Sequence, residues 1–150
     1  MARHYYVMAL FSIVVLFGCT RMIRVDAKSY LQNQALYEGK KTLIAVDLGD
    51  VLEQYELFQG KDIEVTAPVT HFERKDSPGW FLTLEQNGKK LRCYEDDYRH
   101  FVPQNALHLA RWAKREGGEV TARGKLSKGG VELDQLTYKK LSVNTNLVPP

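Results

Sequence analysis

The sequence predicts a mainly β domain: a five-stranded Greek-key barrel with a helix between its third and fourth strands and another helix ahead of the first. Three observations predict it. Asn87-Gly88 sits between two runs of alternating apolar and polar residues, the pattern of a tight β-hairpin. Residues 61–72 and 119–126 alternate with the period of half-buried strands. A helical pattern opened by Pro103 and closed by Gly117 separates the hairpin from the later strands.

The N-terminus comes first in the chain. Arg3 and His4 precede an apolar run of 11 residues, 7–17, broken only by Ser12. A membrane-spanning helix needs about 20 apolar residues, whereas the apolar region of a secretory signal needs about 7 to 15. Export is therefore expected. The run ends in Leu16-Phe17-Gly18-Cys19, which resembles the lipobox of bacterial lipoproteins. The resemblance implies a signal peptide over 1–18 and diacylglyceryl attachment to Cys19 as the mature N-terminus. Two or more acyl chains hold a protein firmly in a bilayer, since each buried CH₂ contributes about 0.8 kcal/mol. Thr20 follows, not Asp, and by the same resemblance this points to the outer membrane, facing the periplasm of a Gram-negative host. Residues 19–28 are polar and carry Arg21, Arg24 and Lys28, so they read as a tether of at most about 30 Å.

Residues 29–60 form an N-terminal helical extension: a brief helix over 29–37, a short strand over 41–46, then an amphipathic helix. In that helix Leu48, Val51, Leu52 and Tyr55 recur at i, i+3, i+4 and i+7. Asp47 can cap its start and Gly60 closes the segment.

The barrel is expected over residues 61–141. In its first strand Ile63, Val65, Ala67 and Val69 alternate with Glu64 and Thr66, and Pro68 predicts a bulge or edge position. Both positions of a type I′ turn require φ > 0, which suits Asn87-Gly88 and sets the register of the hairpin. Gln86 then faces Lys89, Leu84 faces Leu91, Thr83 faces Arg92, Leu82 faces Cys93 and Phe81 faces Tyr94. One face carries Leu82, Leu84, Leu91 and Cys93, with Cys93 read as a small buried hydrophobe. The other carries Phe81, Thr83, Glu85, Arg92 and Tyr94. Ala106, Leu107, Ala110 and Ala113 make the inward stripe of the following helix. Val120, Ala122, Gly124 and Leu126 line one side of the fourth strand, Lys128-Gly129-Gly130 turns the chain, and residues 131–138 form the fifth. Residues 142–150 read as a flexible tail.

Composition narrows the function. The chain has 150 residues, 44% apolar and 26% charged, enough for one domain with extensions and a core needing no disulfides. Removing residues 1–18 removes one cation, Arg3, leaving 20 basic against 18 acidic side chains. Nucleic-acid binders usually carry a clustered basic excess, so this balance makes a nucleic-acid partner the less expected one. His71, His100 and His108 have no zinc spacing, and Glu95-Asp96-Asp97 reads as a solvated connection. No nucleophile is paired with a base, and no glycine-rich loop opens a helix. A non-enzymatic protein without cofactor or metal is expected.

The order strand, strand, strand, helix, strand, strand is that of the OB-fold. Tyr55-Glu56-Leu57-Phe58-Gln59-Gly60-Lys61-Asp62-Ile63-Glu64-Val65 enters the first strand, and Leu91-Arg92-Cys93-Tyr94 forms the third. Gly117-Gly118-Glu119-Val120-Thr121-Ala122-Arg123-Gly124 and Val131-Glu132-Leu133 follow. On these segments, a little over half the chain, the sequence resembles the tRNA-anti-like family of bacterial OB domains. OB-folds serve nucleic acids, oligosaccharides and proteins alike, so the resemblance implies a binding module and leaves its ligand open. The expected ligand face carries Phe81, Thr83, Arg92 and Tyr94. Either it is an open binding face or it seats the N-terminal helix. A protein or another envelope component is the expected partner, beside the membrane reached through the lipid; a single-stranded nucleic acid or an oligosaccharide is the alternative. Arg123 and Lys125 are the next candidates should the face be covered.

Overall fold

The computed structural model describes residues 21–37, 41–74, 80–95 and 104–144. The signal segment, Cys19, Asp96, Asp97, His100 and Pro103 lie outside them. The described residues are mainly β. Strands β1 (Arg21–Arg24) and β2 (Thr42–Ala45) flank helices α1 (Ala27–Gln32) and α2 (Gln34–Tyr37). Helices α3 (Leu48–Glu53) and α4 (Tyr55–Phe58) lead into β3 (Asp62–Arg74), β4 (Trp80–Gln86) and β5 (Lys89–Glu95). Helix α5 (Gln104–Glu116) and strands β6 (Glu119–Ser127), β7 (Gly130–Tyr138) and β8 (Leu141–Asn144) complete the order.

Five strands pair in a ring. β3 pairs antiparallel with β4, β4 with β5, β5 runs parallel to β7, β7 pairs with β6, and β6 returns to β3. The long β3 serves both ends of the ring, bonding β6 through residues 62–68 and β4 through 69–74. The change of partner coincides with a bulge between Val69 and His71, just past Pro68. Pro68 has no N–H to give a ladder, so a break in pairing falls beside it. Bulges bend a strand and let it turn from one partner to the next.

The hairpin register is the expected one at every pair from Trp80↔Glu95 to Gln86↔Lys89. Asn87 and Gly88 take φ of 52° and 75°. Leu82, Leu84, Leu91 and Cys93 are buried in one core with Ile63, Val65, Ala67, Val120, Ala122, Leu126, Leu133 and Leu136. At the end of α5 the Gly118 amide donates to the Ala113 carbonyl at 2.9 Å and the Gly117 amide to Lys114 at 3.2 Å, with Gly117 at φ 64°. These are the two bonds of a Schellman cap, which glycine makes without Cβ strain.

Three expectations change. Residues 21–24 are not tether but strand β1, parallel to β2, which is itself parallel to the start of β3. β2 occupies the stretch of β3's edge that β4 leaves free, and β1 extends it; an unpaired edge is thereby covered. Ala27 and Lys28, also in the expected tether, open α1, whose N-cap Asp26 accepts from the Ser29 amide at 2.7 Å. The amphipathic helix begins at Asp47 as expected, with Asp47 accepting from Gly49 at 2.9 Å, but divides at Gln54 (φ −123°, ψ 44°) into α3 and α4. The expected tail loses residues 142–144 to β8, which pairs Leu141 with Tyr138, Ser142 with Thr137 and Val143 with Leu136.

Candidate functional site

The outward face of β4 and β5 follows from the register. Phe81 faces Tyr94 and Thr83 faces Arg92, so their side chains emerge opposite the buried Leu82 and Cys93. Arg92 is exposed, and Phe81, Thr83 and Tyr94 are half-buried. The Arg92 guanidinium lies 4.2 Å from the centroid of the Phe81 ring, a cation–π contact. His71, paired with Thr83 on β3, brings its ring within 6.0 Å of Phe81 at 44°. The four expected residues therefore share one face, and His71 joins them through tertiary pairing.

The turn between β6 and β7 borders this face. The Tyr94 and Ser127 hydroxyls lie 2.5 Å apart, and Ser127 Oγ also donates to the Gly130 carbonyl at 3.1 Å. Gly130 has φ of 125°, and a Cβ there would lie 2.1 Å from the Arg92 carbonyl oxygen. Only glycine allows the turn to approach β5 this closely. Ser127 to Gly130 thus stands beside Tyr94 and Arg92.

The N-terminal helices meet the sheet elsewhere. Leu48 and Val51 of α3 and Phe58 of α4 are fully buried in the cluster that holds the inward residues of the hairpin. Tyr30 of α1 packs on Phe58 with centroids 5.3 Å apart and stacks on Tyr37 at 5.5 Å. At the hairpin tip Lys89 pairs with Glu53. The helical stripe is seated on the core, while the ring contacts of Phe81 among the described residues are to His71 and Arg92. Helix α4 reaches the face only at its border, where Tyr55 donates to the Ser127 carbonyl.

Arg123 and Lys125 differ from each other. Arg123 Nε donates to the buried Glu64, and its Nη1 donates to Gln135 at 3.1 Å; its charge is already engaged. Lys125 is exposed. Cys93 is fully buried, and burial pushes its thiol pKa well up, which suits a core residue and not a nucleophile. His108 is exposed on α5.

Two features were missed in the sequence. A concavity of about 290 Å³ between β1, β2 and the start of α3 is lined by Arg24, Asp26, Asp47, Asp50, Glu64 and Thr66. Its carboxylates serve the fold: Asp26 and Asp47 cap helices, Asp50 accepts from the Ala27 amide at 3.1 Å, and Glu64 pairs with Arg123. The second is a cluster at the end of α5, where Glu116 accepts from Trp112 Nε1 at 2.6 Å, from the Tyr138 hydroxyl, and from Lys139 at 2.8 Å. The Lys139, Tyr138 and Trp112 hydrogen bonds hold the Glu116 carboxyl down at about 2. Only the Trp112–Glu116 spacing of four residues was visible beforehand. Among the described residues, no group of three or more His, Cys, Asp or Glu is placed to hold a metal, and no helix is long and apolar enough to cross a membrane.

Neither a family model nor a curated protein matches the chain. Among solved structures, it is similar to TiaS in its complex with a tRNA and ATP, at 13% identity and a TM-score of 0.41 over 66% of this chain. It is also similar to the yeast Stn1 and Ten1 structure, at 10% identity and a TM-score of 0.40 over 85% of this chain. This chain spans 22% of the TiaS chain and 66% of the yeast one. At these values the likeness decides neither fold nor ligand, and the ring of strands rests on its own pairings.

Proposed function

We propose that the chain is a non-enzymatic binding module, an OB-type Greek-key barrel that takes a single-stranded nucleic acid or an oligosaccharide across the outer face of β4 and β5. The observation that carries this is the Phe81–Arg92 stack, set beside Thr83, Tyr94 and the β6–β7 turn and away from the seat of the N-terminal helices. The strand 2 and 3 face of OB barrels, with the loop between strands 4 and 5, is a surface for such ligands. An aromatic ring with a cation beside it suits ligands built from stackable rings. The test is binding of a labelled oligothymidylate and of a neutral oligosaccharide to the full chain in non-ionic detergent. Phe81→Ala should weaken capture of the true ligand about tenfold; unchanged binding of both would overturn the face as the site.

We further infer that Cys19 carries lipid and that the domain lies in the cell envelope, at the outer membrane of a Gram-negative host. The support is the short apolar run followed by Leu16-Phe17-Gly18-Cys19. Strand β1 opens at Arg21, so an anchor at Cys19 holds the sheet within about 7 Å of the lipid-bearing residue. An envelope protein partner is the second reading of the face, favoured by the balance of 20 basic and 18 acidic side chains after residue 18. Intact mass of the membrane fraction tests the anchor: an unmodified Cys19 would overturn it. Salt separates the partners, because phosphate contacts release counterions and apolar protein contacts do not.

A further inference from the structure

A tryptophan at a protein surface usually buries its apolar body and turns its polar end to water. Trp112 is arranged differently. Its Nε1 donates to Glu116 at 2.6 Å, and its ring meets Tyr138 edge-on with centroids 5.1 Å apart. With its one polar atom already bonded, the 37% of Trp112 left exposed offers water no unfilled hydrogen bond. Leu141 is the partner of Tyr138 across the β7–β8 hairpin, so both side chains lie on one side of the ladder, and Leu141 is 55% exposed. The exposed Trp112 and Leu141 thus flank the same buried tyrosine.

Cations surround this pair. The hairpin turns through Lys139 and Lys140, and Lys139 holds φ of 54°, a conformation that favours glycine. Its ammonium lies 4.8 Å from the Trp112 ring centroid and bonds Glu116 at 2.8 Å. Lys140 is exposed, as is Arg115, three residues after Trp112 on the same side of α5. Neither forms an ion pair with a described residue. Glu116 is the one carboxylate of α5, and Trp112, Tyr138 and Lys139 already occupy it.

We propose that this patch is a second membrane contact: Trp112 and Leu141 enter the headgroup boundary of an anionic bilayer, and Arg115, Lys139 and Lys140 meet its lipid phosphates. The proposal rests on the reading of Cys19 as the lipid-bearing residue, because β1 opens at Arg21 and an anchored domain is confined to the bilayer surface. Confinement raises the effective concentration of that surface, so a contact too weak to recruit a free protein still closes on a tethered one. The chemistry matches. Tryptophan rings settle at the membrane–water interface, and lysine and arginine beside them are drawn to anionic lipid. Symmetric pairing of two copies through the patch would instead set its cations against each other.

The test places the full chain in vesicles of phosphatidylcholine with phosphatidylglycerol, and of phosphatidylcholine alone, each with a brominated lipid as quencher. Trp80→Phe leaves Trp112 as the only tryptophan, so quenching reads this one contact. Should that change unfold the domain, the difference between wild type and Trp112→Phe gives the same reading. Trp112 emission should be quenched and blue-shifted in the anionic vesicles, and both effects should fade in high salt or without phosphatidylglycerol. Each Lys or Arg at an anionic surface is worth about fivefold in binding, so Arg115→Gln with Lys140→Gln should lower the ratio of docked to free domain about 25-fold. Lys90→Gln, on the β4–β5 hairpin, should leave it unchanged, and a melt of each variant checks the fold. Unquenched Trp112 in the vesicle-bound chain overturns the contact, as does quenching that the double variant retains. A blue shift that grows with protein concentration in detergent, without vesicles, overturns it in favour of contact between copies. Intact mass of the same sample separates the patch from the anchor. Lipid on Cys19 with unquenched Trp112 removes the patch alone; a bare Cys19 with quenched Trp112 removes the anchor alone.

Discussion

The hydroxyl of Tyr55 donates a 2.5 Å hydrogen bond to the backbone carbonyl of Ser127, 72 residues away. This bond ties α4 to the β6–β7 turn, and the same Ser127 holds the Tyr94 hydroxyl through its side chain. The N-terminal extension is therefore fastened to the sheet at the border of the candidate face. Burial raises the Tyr55 phenol pKa.

Tyr55→Phe removes the donor and leaves a part-buried carbonyl without this partner. The expected loss is about 1 kcal/mol of unfolding free energy, read from urea melts of the two proteins. A loss indistinguishable from zero would mean that α4 is held by Leu57 and Phe58 packing alone.

The hairpin register separates two neighbouring residues sharply. Leu84 is fully buried opposite Leu91, whereas Glu85 faces Lys90 with their charged groups 3.8 Å apart at the surface. Leu84→Asp buries an unpaired carboxylate and should cost several kcal/mol. Glu85→Ala should stay within about 1 kcal/mol. Similar melting temperatures for the two would contradict the register.

Gly124 lies at the irregularity in the β6–β7 pairing, where an added Cβ would sit 1.9 Å from the Glu132 carbonyl oxygen. Backbone, not a movable side chain, opposes it. Gly124→Ala is expected to destabilise the domain by about 1 to 3 kcal/mol or more, measured by denaturant melt. Wild-type stability would show that β6 and β7 separate at this point.

Glu116 offers a pH-dependent signal. Its folded pKa, near 2, lies below the ordinary 4.5, so the stability it contributes is present above about 4.5 and is lost as pH falls towards 2. The partners shift in the matching sense, with the Tyr138 and Lys139 pKa values raised chiefly by their hydrogen bonds to Glu116. Trp112 donates to the same carboxylate, so its fluorescence should change over this acid range. Glu116→Gln should abolish the acid transition; an identical titration in the variant would assign the signal to another group.

Local chemistry made part of the fold legible in the sequence. Asn87-Gly88 imposes a turn whose two residues need φ > 0, and a period of two then dictates which side chains go in. The pairing Phe81↔Tyr94 and the common face of Phe81, Thr83, Arg92 and Tyr94 follow from that alone. The end of α5 at Gly117 and the start of α3 at Asp47 were equally readable, because each is a hydrogen-bonding arrangement within a few residues. The tertiary structure alone decided the rest. Four-residue strands such as β1 and β8 are too short to show a period, and their backbone groups are satisfied by β2 and β7. The parallel pairing of β5 with β7, the return of β6 to β3, and the approach of His71 to Phe81 join residues with no local signal between them. Arg111 and Lys114 carry no local signal of a partner in the sequence. Packing of α5 against β3 sets them over Phe72, and the cost of leaving backbone and apolar groups unpartnered is what drives those elements together.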